Sequence, residues 1–245
     1  MAEGQLLYEG KAKRIYETTT SGVLLVEYKD EATAFNGKKK ETIAGKGVLN
    51  NDISAMIFQA LSLAGVESHF VEKVSERSQK VKHVEIVPLE VVVRNVTAGS
   101  LAKRLGLNEG EPIEPAIVEF YYKDDELDDP LITEEHVRLL RIARPDELKT
   151  MKEAALKVNE ELTSLFADCG IRLIDFKLEF GRTADGSILL ADEVSPDTCR
   201  LWDKDTNERL DKDVFRRDLG ALTTAYEEIA TRLRQKLTAS GGELS

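Results

Sequence analysis

Leu173-Ile-Asp-Phe-Lys-Leu-Glu-Phe180 and Ile188-Leu-Leu-Ala-Asp-Glu-Val-Ser-Pro-Asp-Thr-Cys-Arg200 decide the fold of this chain. The first stretch alternates strictly. Ile174, Phe176, Leu178 and Phe180 face one way, and Asp175, Lys177 and Glu179 the other, the period of a half-buried strand. Ala184-Asp-Gly-Ser187 lies between the stretches, and Asp-Gly between apolar runs is the strongest short hairpin signal. A two-residue turn at Asp185-Gly186 predicts Glu179 directly opposite Asp192, on the face that carries Asp175 and Lys177. A bulge at Gly181 would slip that register by one residue.

Directly opposed side chains start about 5 Å apart at Cβ, and like charges there are destabilising. The repulsion is about 3 kcal/mol at an effective dielectric near 20, and under about 1 kcal/mol in bulk water. Two readings follow. The polar side is the solvated face of an ordinary amphipathic hairpin, or it lines a cleft where a cation bridges the two acids. The second suits Mg2+ carrying a polyphosphate, because Mg2+ is usually held by one or two carboxylates plus phosphate oxygens.

The rest of the chain narrows the classes. A length of 245 residues suits two subdomains sharing a cleft. Apolar residues make up 42% and charged ones 32%, as in soluble globular proteins. The net charge of −11 argues against nucleic acid or an anionic membrane as main partner, since both need basic surface. Two cysteines, Cys169 and Cys199, without a Cys-x-x-Cys argue against a disulfide framework or zinc site and fit a reducing cytoplasm. No apolar run reaches membrane-span length, and the first residues show no signal-peptide pattern. The small, polar run Ala239 to Ser245 is expected to be disordered.

The apolar pattern predicts strands at Gln5–Glu9, Ala12–Glu17, Val23–Tyr28, near His69–Val74 and at Leu89–Arg94, and a helix from Val48 to Ala64. A helix N-terminus is expected at Ala98–Ser100. A long helix should start at Pro145, a favoured first helical residue, and stop before Gly170. One last helix is predicted from about Asp213 to Leu237, with Phe215, Leu219, Leu222, Tyr226, Ile229 and Leu233 inward. The pattern is α+β, with a lobe boundary near Val84–Pro88.

Three further segments carry chemistry. Tyr8-Glu-Gly-Lys-Ala-Lys13 puts lysines on a tight glycine turn, either a phosphate-facing turn or a plain basic hairpin. Arg94, at the end of a buried strand, and Ser100, at a helix start, make an anion site or a surface arginine and cap. Ser195-Pro-Asp-Thr-Cys-Arg200 reads as a rigid loop presenting Asp197, Thr198 and Arg200. His69, His83 and His136 are scattered, without zinc spacing, and there is no Gly-x-Ser-x-Gly elbow, Walker motif or kinase signature.

Taken together, Tyr8 to Lys13, Val92-Val-Arg-Asn95 with Ala98-Gly-Ser100, Asp175 to Gly181, Asp192 to Asp197 and Arg200-Leu-Trp-Asp203 closely resemble the SAICAR synthetase family, from Tyr8 to about Leu237. The resemblance implies a two-lobed α+β fold of antiparallel sheets with packed helices, related to ATP-grasp enzymes. Residues 1–86 would be a β-rich nucleotide-covering lobe, residues 87–245 a substrate- and metal-binding lobe, with the nucleotide cleft between them. It implies an ATP- and Mg2+-dependent ligase of purine biosynthesis, cytoplasmic and possibly homodimeric. The reaction joins L-aspartate to the carboxylate of the ribonucleotide CAIR, giving SAICAR, ADP and phosphate. On this reading Glu179 and Asp192 hold the metal on the nucleotide, and Lys11, Ala12, Lys13 and Lys123 contact phosphates. Lys177, with Asp175, serves the reacting groups, Arg94, Ser100 and Arg200 hold the CAIR phosphate, and Asp197, like Asp175, orients substrate groups. Lys80–Ile86 lies where the lobes should join, and the resemblance does not choose adenine-contacting residues within it. The rivals are another ATP-dependent carboxylate–amine ligase and a non-catalytic nucleotide-binding module.

Overall fold

The computed structural model describes residues 4–34 and 37–239. The chain begins with strands β1 (Leu6–Glu9), β2 (Lys13–Glu17) and β3 (Val23–Tyr28), then a small hairpin of β4 (Glu31–Ala34) and β5 (Lys39–Thr42). Helix α1 (Lys46–Leu63) follows, and then β6 (Phe70–Lys73) and β7 (Ser78–Lys82). These strands make a five-stranded antiparallel sheet in the order β1-β2-β3-β7-β6, with β4–β5 paired apart from it.

A second sheet is built from β8 (Glu85–Val96), β9 (Pro112–Tyr122), β10 (Leu131–Ile132), β11 (Ile171–Arg182), β12 (Ile188–Ala191) and β13 (Cys199–Asp203). Its order is β10-β9-β8-β11-β12, with β13 also on β11, and every pairing is antiparallel. Helices α2 (Gly99–Leu105), α3 (Glu134–Leu140), α4 (Pro145–Asp168), α5 (Asp213–Arg216) and α6 (Leu222–Ala239) complete the chain. The architecture is α+β. Residues 240–245 of the predicted disordered tail lie outside the described residues.

Period explains the packing. Met151, Ala155, Val158, Leu162 and Phe166 recur at three- and four-residue spacing along α4 and are fully buried, the single apolar stripe of a helix lying on a sheet. Under it, Phe176, Leu178 and Phe180 of β11 are at most 1% exposed; Ile174, expected on the same side, packs instead with Val96, Ala98 and Trp202, because β11 bulges between Leu173 and Asp175 and the alternation breaks there. The apolar side of β11 is thereby sealed by core, and its polar side is left for the cleft.

The predicted last helix is two. Asp218 (φ 54°) and Gly220 (φ 150°) break it between α5 and α6, because a left-handed residue cannot continue a right-handed helix. Leu219, expected inward, is 54% exposed at the break, while Phe215, Leu222, Tyr226, Ile229 and Leu233 are buried.

β12 and β13 share one edge of β11. β12 runs along Glu179–Arg182 and β13 along Ile171–Phe176. In the gap the chain from Asp192 to Thr198 leaves the sheet and returns, and Lys177 N–H donates to the Thr198 carbonyl at 2.8 Å. This excursion opens beside the polar face of β11.

Candidate active site

A cavity of about 530 Å³ lies over that face. It collects Lys11, Ala12, Lys13, Arg94, Ser100, Lys123, Asp175, Lys177, Glu179, Asp192, Asp197 and Arg200. All the predicted site residues thus line one space. The Gly10–Lys13 turn comes from the first sheet. β8 gives Arg94, β11 gives Asp175, Lys177 and Glu179, and β13 gives Arg200. Arg200 was expected on a loop; it is a strand residue paired with Asp175.

The hairpin register differs from the expectation. Glu179 opposes Ala191, not Asp192. The turn is a three-residue loop, Ala184 to Gly186, closed by Thr183 N–H to the Ser187 carbonyl at 2.9 Å. A two-residue type I′ turn needs positive φ at both central residues. Gly186 has it (φ 88°), but Asp185 does not. The Asp185 carboxylate accepts instead from Ser187 N–H at 3.1 Å, an Asx-type turn that favours the longer loop. A one-residue slip would point Asp192 away from Glu179. β12 ends at Ala191, however, and Asp192 takes a left-handed conformation (φ 60°). That bend returns its carboxylate to the cavity, 2.5 Å from Lys13 Nζ.

The opposed like charges are Glu179 and Glu90, partners across β11 and β8. Lys177 Nζ bridges them, at 2.7 Å from Glu179 and 2.9 Å from Glu90. Lys123 also donates to Glu179. Lys13 sits between Asp192 and Glu193, at 2.5 and 2.9 Å. Burial disfavours the charged Lys13, but Asp192 and Glu193 outweigh it and hold its pKa well above the ordinary lysine value. Burial also opposes the Lys177 charge, and Glu179, Glu90 and Asp192 more than reverse the effect. The same balance, with Lys13, Lys177 and Lys123 against burial, keeps Asp192 ionised below the usual carboxylate range.

At the other end Asp175 is shared by two arginines. Arg94, 3% exposed, donates to Asp175 at 2.7 Å, to Glu119 and Tyr121 at 3.0 Å and to Ser100 at 3.1 Å. Arg200 donates to Asp175 at 2.9 Å and to Asp213 at 3.1 Å. Its guanidinium lies on the backbone of Gly99, where a Cβ would stand 2.4 Å from Nη2. Asp197 is held by Lys46 at 2.7 Å, Lys212 at 3.4 Å and the Tyr226 hydroxyl at 2.5 Å. Lys11 pairs with Asp125 at 2.5 Å at the exposed rim, and the Ala12 carbonyl accepts from Lys29 N–H at 2.8 Å.

The SAICAR synthetase family model matches residues 6–233 of the chain. The chain belongs to the SAICAR synthetase family. The phosphoribosylaminoimidazole-succinocarboxamide synthase of Bacillus subtilis (strain 168) is 62% identical over 233 residues, covering 95% of this chain and 97% of that protein. The crystal structure of the Ehrlichia chaffeensis synthase superposes with a TM-score of 0.92 at 45% identity, over 94% of this chain and 98% of its own. A SAICAR synthetase in complex with ADP gives 0.89 at 51% identity, over 92% and 96%.

For this SAICAR synthetase family member the donor set fits a hard cation. Glu179 and Asp192 offer two carboxylates to one space. No group of three or more His, Cys, Asp or Glu side chains among the described residues is placed to cage a metal. The pair therefore suits an ion that keeps phosphate oxygens in its shell.

Sequence reasoning passed over Glu90, Glu193, Tyr121 and Lys212, which also line the cavity. Glu90 had a signal, a lone acid inside the apolar run Val87 to Val93. Glu193 stood in the quoted stretch beside Asp192, but only the left-handed bend brings both acids to Lys13. Lys80–Ile86, where the lobes were expected to join, contributes nothing to the lining of this cavity.

Proposed function

We propose that this chain uses ATP to join L-aspartate to the carboxylate of CAIR, forming SAICAR, ADP and phosphate through an acyl phosphate. One observation carries the reading. A single cavity joins a lysine-bearing glycine turn, two lysine-backed carboxylates and a pair of arginines sharing Asp175.

A carboxylate is a poor electrophile, so its oxygen first attacks the γ-phosphorus of ATP and ADP leaves. The aspartate amine then attacks the acyl carbon, phosphate leaves, and the amine loses a proton. Phosphoryl transfer of this kind is promoted mostly by positioning and charge neutralisation. Lys11, Lys13 and the Ala12 backbone hold phosphates from above, and Lys123 does so from the side. Glu179 and Asp192 hold the Mg2+, which neutralises phosphate charge when bound. Lys177 stands between the acids and offsets charge at the transferred group. Arg94, Ser100 and Arg200 anchor the CAIR phosphate, two arginines matching a dianion. Asp175 keeps those arginines aligned, and Asp197 orders the loop that carries it.

The nucleotide-covering lobe is residues 1–86, and residues 87–245 bind substrates and metal. Kinship of this two-lobed fold with ATP-grasp enzymes is part of the same proposal. No helix among the described residues is long and apolar enough to cross a membrane, in keeping with a cytoplasmic enzyme, and a homodimer is the assembly proposed. An ADP-release assay with ATP, Mg2+, CAIR and aspartate, omitting each in turn, tests the reading. Turnover is expected only with all four present; steady turnover without aspartate contradicts a ligase.

A further inference from the structure

Asp192 reaches the cavity only through its left-handed backbone, a conformation that is costly for a residue with a Cβ and persists where its surroundings fix it. Its carboxylate is tied to Lys13, but that contact is the one a nucleotide would exchange. Its carbonyl is tied elsewhere. His69 Nε2 lies 3.1 Å from the Asp192 carbonyl oxygen, so with the proton on Nε2 the ring donates to it.

The ring itself is fixed from several sides. His69 N–H donates to the Leu190 carbonyl of β12 at 2.8 Å, and its own carbonyl accepts from Lys82 N–H of β7 at 2.6 Å. The ring packs on Phe58 of α1, with centroids 5.6 Å apart, and the residue is 5% exposed. His69 thus joins the first sheet to β12 at Leu190, two residues before the bend.

We propose that His69 is a positioning residue: by donating Nε2–H to the Asp192 carbonyl it locks the bend that aims the Asp192 carboxylate at the nucleotide-bound metal. It acts through Asp192 and does not touch the reacting atoms. The inference rests on the assignment of Asp192 to the nucleotide and its metal.

The test measures KM for MgATP, CAIR and aspartate, together with the melting temperature, on the full chain. His69→Gln keeps an N–H donor at about the position of Nε2; His69→Met keeps the bulk without a donor. His69→Met should raise KM for MgATP about tenfold, the size of one lost buried hydrogen bond, and leave the other two KM values within about twofold. His69→Gln should stay within about threefold of the parent. In an Asp192→Asn background, His69→Met should add nothing further. Equal KM values for MgATP in the Gln and Met variants, or a parallel rise for all three substrates, overturns the role of His69. If Asp192→Asn raises KM for MgATP and His69→Met does not, the fault lies with His69 alone. If Asp192→Asn leaves KM for MgATP unchanged, the assignment beneath falls with it.

Discussion

Replacing Gly99 by alanine should loosen CAIR while sparing ATP. The added Cβ would stand 2.4 Å from Arg200 Nη2, 2.6 Å from Cζ and 2.9 Å from Nη1, against an ordinary contact of 3.4 to 4 Å. The guanidinium must therefore move by about 1 Å, enough to break its bonds to Asp175 at 2.9 and 3.1 Å. A displaced arginine forfeits a charge-assisted hydrogen bond to the anion it anchors, worth about 1.5–3 kcal/mol. That corresponds to a rise of about tenfold to a hundredfold in KM for CAIR. Gly99 also has φ 54°, so alanine adds backbone strain of about 1 kcal/mol. Gly106 separates the two effects. It caps the same helix with φ 65° and has nothing within 4 Å of its built Cβ. Gly106→Ala should cost stability alone. The assay is ADP release at saturating ATP and aspartate with CAIR varied, beside melting curves of both variants. Equal KM values for CAIR in Gly99→Ala and Gly106→Ala would refute the reasoning.

Three further outcomes are expected. Lys177→Met should lower kcat at least a hundredfold and also lower the melting temperature, because Glu90 and Glu179 then face each other unbridged. Adding Glu90→Gln should recover the melting temperature without recovering turnover. Glu147, buried in α4, accepts from Arg182 at 2.6 and 3.0 Å, and this pairing holds its carboxyl down at about 2 from a usual 4.5. Its folded pKa lies below the unfolded one, so its contribution, about 3 kcal/mol, is complete above pH 4.5 and is lost as pH falls toward 2. Glu147→Gln should be destabilised by that order at pH 7, with the gap to the parent closing in acid, as urea unfolding at several pH values would reveal. Arg94→Ala should raise KM for CAIR and cost about 3–5 kcal/mol in the same unfolding experiment, since Asp175 and Glu119 lose a buried partner.

From Asp175 to Phe180 the polar face of β11 was legible because alternation with period 2 leaves no choice of side once one face is apolar; at Ile174 a bulge ends that alternation, and no residue type announces it. The α4 stripe and its proline start were legible for the same reason, local pattern. Two errors came from the backbone. Asp185-Gly186 signals a turn but not its length, which the Asp185 side chain sets by bonding Ser187 N–H. Asp218 and Gly220 interrupt an apolar pattern that continues on both sides, so spacing alone runs α5 into α6. Glu90 and Tyr121 could not be placed without knowing that β8 lies between β11 and β9, a long-range pairing that no window of sequence encodes. The convergence of Glu179 and Asp192 was expected for a reason that did not hold: they share the cavity through a left-handed bend, not through direct opposition.

The most direct measurement is a calorimetric titration of ADP, with and without Mg2+, into the parent and into Glu179→Gln/Asp192→Asn. The parent should bind MgADP at least about tenfold more tightly than metal-free ADP, and the double variant should bind both forms with one weak affinity. A double variant that keeps the full Mg2+ dependence would contradict the account.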